Sequence, residues 1–247
     1  MTTTRVRVAL RIYGEPLAVE GDAPAGPARL DELLPIFRKV DNAVIDRAVA
    51  RVEASGERVS CAKGCSACCR AQPVPVTPPE THALVRLVES LPEPRRSEVR
   101  ATFADRVARL RSAGLYDTFM HRDPDLTADD ARQIADRYFR LGLVCPFLVD
   151  DACGIYEDRP FVCRQYLVTS PASLCSDPLH NPVKPVPMPL RFATAALTVG
   201  EQLAGRPQHT VPLVLALEYA AAHRDELNQR YDGRDLFGRF VKALAND

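Results

Sequence analysis

Eight cysteines dominate the chemistry that this chain could carry. Four of them fall within the nine residues CAKGCSACC, namely Cys61, Cys65, Cys68 and Cys69. The other four share one later window of 31 residues, namely Cys145, Cys153, Cys163 and Cys175. Thiolates two or three residues apart on one loop can reach a single zinc ion or the irons of one cluster. The spacing therefore predicts a metal site for which all eight cysteines are candidate ligands.

The first cysteine group has features that favour close wrapping and leave the nuclearity open. Gly64 lets the loop turn without a Cβ clash. Cys68 and Cys69 are neighbours whose side chains diverge, so they serve two metals, or only one of them is a ligand. Seven or eight sulfurs suffice for two closed zinc sites, or for one [4Fe–4S] cluster with spare thiols.

Basic residues near the cysteines could offset the negative charge of a thiolate site. These are Lys63, Arg70, Arg159 and Arg164. The alternative is that they are solvated surface charges. We also expect Tyr156 to pack over the site, where its hydroxyl could donate to a sulfur or its ring could simply belong to the core. We expect Asp158 to cap a short helix, so that Cys163 stands on a rigid turn.

Composition excludes several broad classes. The 247 residues are 46% hydrophobic and 26% charged, and acidic and basic residues cancel, so no affinity for nucleic acid or an anionic membrane is expected. No apolar run approaches the ~20 residues of a membrane span, and the N-terminus lacks a signal-peptide core. We expect a cytoplasmic protein, where metal or redox chemistry is favoured over the alternative of a disulfide-stapled module.

The elements that must position the cysteines are mostly helices. We predict a mainly α fold with irregular cysteine-rich metal-binding loops held between helices, and a small N-terminal β-hairpin. The regions are 1–56 (hairpin and helix), 57–176 (metal-binding domain with a helical insertion) and 177–247 (a helical segment packing on the same domain). TPPE predicts a helix start with Thr77 as N-cap and Glu80 in a capping box. Thr210 is expected to start a long helix.

Three stretches together resemble a known family: CAKGCSACC, then CPFL, then CGIYEDRPFVCRQY. They are similar to the bacterial cysteine-cluster proteins of the CxxxCxxCC or YkgJ type, described as zinc- or iron-chelating domains. The closing pattern of that family matches Cys153, Tyr156, Arg159, Cys163 and Arg164. The resemblance covers about residues 60–167 and implies a zinc ion or an iron–sulfur cluster as cofactor. We assign Tyr156, Arg159 and Arg164 to the surroundings of that cofactor.

An enzymatic alternative remains open. A related cysteine-rich region occurs in bacterial lysine N-methylases acting on flagellin, for which the resemblance implies an iron–sulfur cluster and S-adenosylmethionine. The triplet of Cys61, Cys65 and Cys68 also has the spacing of radical S-adenosylmethionine enzymes. No glycine-rich cofactor loop or βα pattern accompanies it. The sequence therefore predicts metal binding and leaves a reaction undecided.

Overall fold

A computed structural model describes residues 2–121 and 123–245 of the chain. Helices dominate these residues, which confirms the mainly α prediction. The helices are α1 (Leu34–Ala54), α2 (Pro78–Ser90), α3 (Arg95–Ser112), α4 (Tyr116–Met120), α5 (Ala128–Arg140), α6 (Phe161–Gln165), α7 (Phe192–Ala204), α8 (Ala216–Ala222), α9 (Arg224–Leu227) and α10 (Gly233–Ala245). None of these helices combines the length and the apolar character needed to cross a membrane.

The strands pair only two by two, all antiparallel. They are β1 (Thr3–Ile12) with β2 (Glu15–Pro24), β3 (Pro27–Ala28) with β8 (Tyr231–Asp232), β4 (Pro75–Val76) with β7 (Val211–Pro212), and β5 (Leu148–Val149) with β6 (Ala152–Cys153). The β3–β8 and β4–β7 pairs join segments that are far apart in the sequence, whereas β5 and β6 form a local hairpin. The architecture is thus a set of helices whose connecting segments pair as short two-stranded sheets. We call the pair formed by β4 and β7 the β4–β7 clasp.

The first two strands form the predicted N-terminal hairpin. Tyr13 and Gly14 both have positive φ, 54° and 85°, as a tight two-residue hairpin turn requires. Val8 and Ile12 face the core, and the alternate positions are exposed, so one face is buried. The expected hairpin is confirmed.

One apolar core joins the hairpin to α1, α7 and α10. Its aromatic centre is Phe37, which stacks on Phe240 at 3.7 Å between ring centroids. Phe161, at the start of α6, is fully buried in this core and lies 5.5 Å from Phe192 by ring centroids. This core therefore anchors the helix that carries Cys163.

A second apolar core gathers α2, α3, α8 and the segment around β4 and β7. Phe103 meets Phe147 edge to face at 5.5 Å, and Tyr138 of α5 is buried there. Cys145 and Cys153 pack against it. The first core therefore anchors the helix of Cys163, and the second core holds Cys145 and Cys153.

The structure contradicts the long helix expected from Thr210. Val211 and Pro212 instead pair with β4, and α8 ends at Ala222 before the one-turn α9. The strand clasp fixes this segment in extended form, and the helical spacing of its apolar residues resumes only afterwards. The division at residues 56 and 176 stays a prediction, and the first core takes residues from all three regions. The outer ends of that division, residue 1 and residues 246–247, lie outside the described residues.

Candidate metal centre

The first cysteine group lies on a compact loop between α1 and β4. Gly64 has a φ of +90°, so the turn uses a conformation that favours glycine. The N–H of Cys65 donates to the carbonyl of Ala62 at 3.0 Å, which closes this turn. A single 3₁₀ turn, Cys68–Arg70, then carries the adjacent pair of cysteines. The loop thereby presents four thiols within one small volume.

The later cysteines stand on short, rigid elements. Cys153 lies in β6, whose hairpin with β5 turns through Asp150 and Asp151, both with positive φ (44° and 59°). Cys163 is in the middle of α6, as a rigid helical turn was expected to provide. Cys145 lies in the connection between α5 and β5. None of these positions depends on a long mobile loop within the described chain.

Hydrogen bonds join the two cysteine groups directly. The N–H of Cys145 donates to the carbonyl of Cys69 at 2.7 Å. Arg70 pairs with Asp151 at the tip of the β5–β6 hairpin. Farther along, Gln72 donates to the carbonyl of Cys175 at 2.7 Å. The halves are thus brought together by the protein's own contacts.

The two groups share one cavity of about 200 Å³. Its lining includes seven of the eight cysteines: Cys61, Cys65, Cys68, Cys69, Cys145, Cys153 and Cys163. Of the described residues, none with a carboxylate or imidazole side chain lines it. A donor set made of thiols suits soft or borderline metals such as zinc and iron in clusters, and it does not suit magnesium or calcium. The residues present therefore fit a thiolate-bound metal centre.

The sulfurs surround the cavity without meeting at one point. Across residues 2–121 and 123–245, no three cysteine, histidine, aspartate or glutamate side chains are placed to hold a single metal ion. All eight cysteines are free thiols. Since a tetrahedral zinc site needs sulfurs about 2.3 Å from one ion, thiol side chains would have to rotate inward to form one.

A comparison with protein families gives this arrangement its context. The model of the CxxCxxCC family, described as "Putative zinc- or iron-chelating domain", matches residues 60–179. This segment is a CxxCxxCC domain. It makes up just under half of the chain and contains all eight cysteines. No curated protein and no solved structure matches the chain.

Burial and the neighbouring thiols raise the pKa of several cysteines in the CxxCxxCC domain. Burial, then the nearby Cys153 and Cys68, raise the pKa of Cys145 to about 12. Burial and the neighbouring thiols also raise the pKa of Cys163 well above the ordinary value for a thiol. A hydrogen bond with Cys69, then burial, raise the pKa of Cys68. A cation that binds these sulfurs must therefore displace protons.

Two residues predicted for the site lie outside the cavity lining. Cys175 is only 3% exposed, and burial raises the pKa of its thiol to about 11. Arg164 is 4% exposed and donates to the side chain of Asn42 and to the carbonyl of Arg159, at 2.8 and 2.9 Å. Their metal and cofactor roles stay predictions. In this structure the hydrogen bonds of Arg164 fix the segment around Cys163 against α1.

Tyr156 and Arg159 do line the cavity of the CxxCxxCC domain, as does Lys63. Tyr156 is 44% exposed, so its ring lies at the cavity mouth and is not part of the buried core. The guanidinium of Arg159 lies over that ring, with Cζ 3.8 Å from the centroid. Arg70, the fourth basic residue near the cysteines, forms an ion pair with Asp151.

The prediction that Asp158 caps α6 is wrong. Asp158 accepts from Arg38 of α1 at 2.8 Å and does not cap the helix. The N-terminus of α6 is bound by Glu80 of α2, whose Oε1 accepts from the N–H of Phe161 at 2.7 Å. Sequence reasoning found Glu80 only as the capping-box partner of Thr77 and gave no signal for its second contact. Asp41 and Gln165, bonded at 2.9 Å, were also missed.

Proposed function

We propose that this protein binds a thiolate-ligated metal centre in the cavity shared by its two cysteine groups. The observation that carries the proposal is that seven cysteines, distant in sequence, line one cavity with no acidic or histidine side chain in the described lining. The family match supports zinc or iron as the metal. The ligands we propose are those seven thiols. Cys175, which lies outside the cavity lining, is an additional candidate ligand.

Of the two cofactors, an iron–sulfur cluster is the better fit. A single tetrahedral zinc ion takes four sulfurs around one point, whereas seven sulfurs line this cavity. A cluster distributes its cysteine ligands over several irons, so its sulfurs stand farther apart. A cavity of about 200 Å³ is also larger than one ion fills. We therefore propose a cluster of the [4Fe–4S] type.

The chain supplies position and electrostatics for such a centre. The thiols would provide the ligands once deprotonated, in a cavity whose charged lining residues, among those described, are Lys63 and Arg159. The lining also contains apolar residues, including Val74, Leu143 and Val214, which limit the access of water to the sulfurs. When bound, the cluster would supply one-electron redox chemistry or a structural link. Thiol ligands persist in a reducing compartment, so we also propose a cytoplasmic location.

Anaerobic purification followed by elemental analysis and an absorption spectrum tests the proposal. The expected result is stoichiometric iron and acid-labile sulfide in a coloured protein. Stoichiometric zinc in a colourless protein would retain the metal site and overturn the cluster. Protein that holds neither metal after purification and after reconstitution with iron and sulfide, or with zinc, would refute the proposal altogether.

A further inference from the structure

The arginine at the cavity mouth is fixed in place before any ligand arrives. Arg159 stacks on the ring of Tyr156, with Cζ 3.8 Å from the centroid. Its Nε donates to the backbone carbonyl of the same tyrosine at 3.1 Å. Two contacts with one residue therefore hold the plane of the guanidinium. A planar group held in this way loses little freedom when it binds a ligand.

The remaining donors of Arg159 are free. Its NH1 and NH2 groups have no acceptor among residues 2–121 and 123–245, whereas the buried Arg164 uses NH1, NH2 and Nε on protein oxygens. Lys63, which lines the same cavity, is exposed and likewise has no acceptor in the described chain. These two cations are the charged side chains of the described lining. The cavity mouth is therefore positively charged and has N–H donors, on Arg159 and Lys63, that bind no described protein acceptor.

An apolar wall lies in the same cavity. It is formed by residues near the β4–β7 clasp, including Val74, Pro75, Leu213 and Val214. The N–H of Leu213 donates to the carbonyl of Val74 at 2.8 Å, so the backbone of this wall is fixed. The cavity thus combines a cationic mouth with a rigid apolar surface. This is the composition of a site for an amphipathic small molecule.

We propose that Arg159 and Lys63 bind the carboxylate of a small organic acid whose apolar part rests on the wall of Val74, Leu213 and Val214. The inference rests on the proposed function in placing this ligand beside the metal centre. The paired NH1 and NH2 donors match the two oxygens of a carboxylate. A phosphate fits the same donors, but it would bring a second negative charge next to the thiolates, so a monoanion is favoured.

The competing role for the two cations is to offset the charge of metal-bound thiolates. Under that role, loss of Arg159 would weaken metal retention, and no organic acid would compete for it. Under our proposal, loss of Arg159 weakens the acid and leaves the metal in place. The two roles therefore separate when metal content and acid binding are measured on the same samples.

The test is a calorimetric titration of the protein as purified with acetate, hexanoate and hexan-1-ol. Burial of additional CH₂ groups should make hexanoate bind roughly tenfold or more tighter than acetate. Hexan-1-ol, which lacks the charge, should bind at least tenfold more weakly than hexanoate. Arg159→Gln should weaken hexanoate by about tenfold or more, and Arg159→Lys should restore only part of the loss, because it keeps the charge without the paired donors. Arg47→Gln, at an exposed position of α1 outside the lining, is the matched control and should change nothing.

Metal content is measured separately on every sample. Absence of saturable hexanoate binding to the wild-type protein would overturn the proposal, as would an Arg159→Gln variant that binds hexanoate normally. An Arg159→Gln variant that loses metal in parallel would assign the residue to the metal centre and also overturn it. Wild-type protein that holds no metal after purification and after reconstitution, but still binds hexanoate through Arg159, would refute the proposed function alone.

Discussion

Glu80 and Phe161 are joined by a hydrogen bond of 2.7 Å from the backbone N–H of Phe161 to Oε1 of Glu80. The other oxygen of this carboxylate accepts from the N–H and the hydroxyl of Thr77, at 2.8 and 2.7 Å. Glu80 is 1% exposed. One buried carboxylate therefore satisfies the first turn of α2 and the first turn of α6, and Cys163 follows two residues after Phe161. The position of a proposed metal ligand is set by a residue that never touches the cavity.

Glu80→Gln should weaken both the fold and the site. The amide keeps the shape but has one acceptor oxygen, so it cannot accept at both ends, and a buried N–H is left without a partner. Such losses cost about 1–3 kcal/mol in the free energy of unfolding, measured by urea denaturation. We expect the metal content of the folded variant to fall as well, because α6 loses its anchor.

Glu89→Gln is the matched control for this change. Glu89 lies on the same helix and is exposed, and its ion pair with Arg100 is long at 3.9 Å. Exposed pairs of this kind contribute little, so its variant should match the wild type within about 0.5 kcal/mol. A Glu80→Gln protein with wild-type stability and metal content would show that the contact with Phe161 is dispensable.

Asp41 should make stability fall as pH rises. Burial raises its pKa to about 8, although Arg164 and the bond from Gln165 oppose this. Between about pH 4 and pH 8 the folded state then keeps a proton that the unfolded state releases, so alkali favours unfolding until pH 8 is passed. Relative to Asp41→Asn, the wild type should lose about 2–4 kcal/mol between pH 5 and pH 8. Urea denaturation at the two pH values measures this difference.

Asp46→Asn provides the comparison for that experiment, since Asp46 is an exposed carboxylate on the same helix. Its pH profile should run parallel to that of the wild type. If the Asp41→Asn profile also runs parallel, Asp41 is ionised in the folded protein and the pKa assignment is wrong. The amide oxygen introduced by Asp41→Asn can still accept the bond from Gln165, so packing is little disturbed by the change.

Local signals predicted most of the elements that hold the site. A few neighbouring residues were enough to predict the helix start at Thr77 and the N-terminal hairpin. The same holds for the cysteine spacing that indicated a metal site. The contacts that assemble the site are not local. Glu80 meets a residue 81 positions later, and the β4–β7 clasp joins Val76 to Val211. That clasp is a tertiary contact, so local apolar spacing gives no sign of it. The spacing after Thr210 therefore predicted one long helix, whereas the chain is first extended and then forms two short helices, α8 and α9.

Cys68 and Cys175 should differ in their importance for metal binding. Cys68 lines the cavity, and repulsion between ionised sulfurs makes it one cause of the raised pKa of Cys145, Cys153 and Cys163. Cys175 is buried outside the lining. We expect Cys68→Ser to lose at least half of the bound metal and Cys175→Ser to retain it, as measured by elemental analysis. Equal losses from both variants, with unchanged thermal stability, would make Cys175 a ligand.

Metal uptake should release protons and strengthen with pH. Without metal the thiols of Cys145 and Cys163 are protonated near neutral pH, because burial raises the pKa of Cys145 to about 12 and raises that of Cys163 well above its ordinary value. Each thiol that becomes a ligand must give up its proton, so zinc used as a probe should release about one proton for each sulfur bound. Its affinity should rise by up to about tenfold per pH unit for each such thiol, while the pH stays below the thiol pKa.

Calorimetry in buffers of different ionisation enthalpy counts these protons. Cys68→Ser should release about one proton fewer than the wild type, and protein whose thiols have been alkylated should release none. Zinc binding with no proton release and no pH dependence would mean that the ligands are not thiols. It would also mean that the seven sulfurs around the cavity do not bind the zinc, because a thiol must lose its proton to become a ligand.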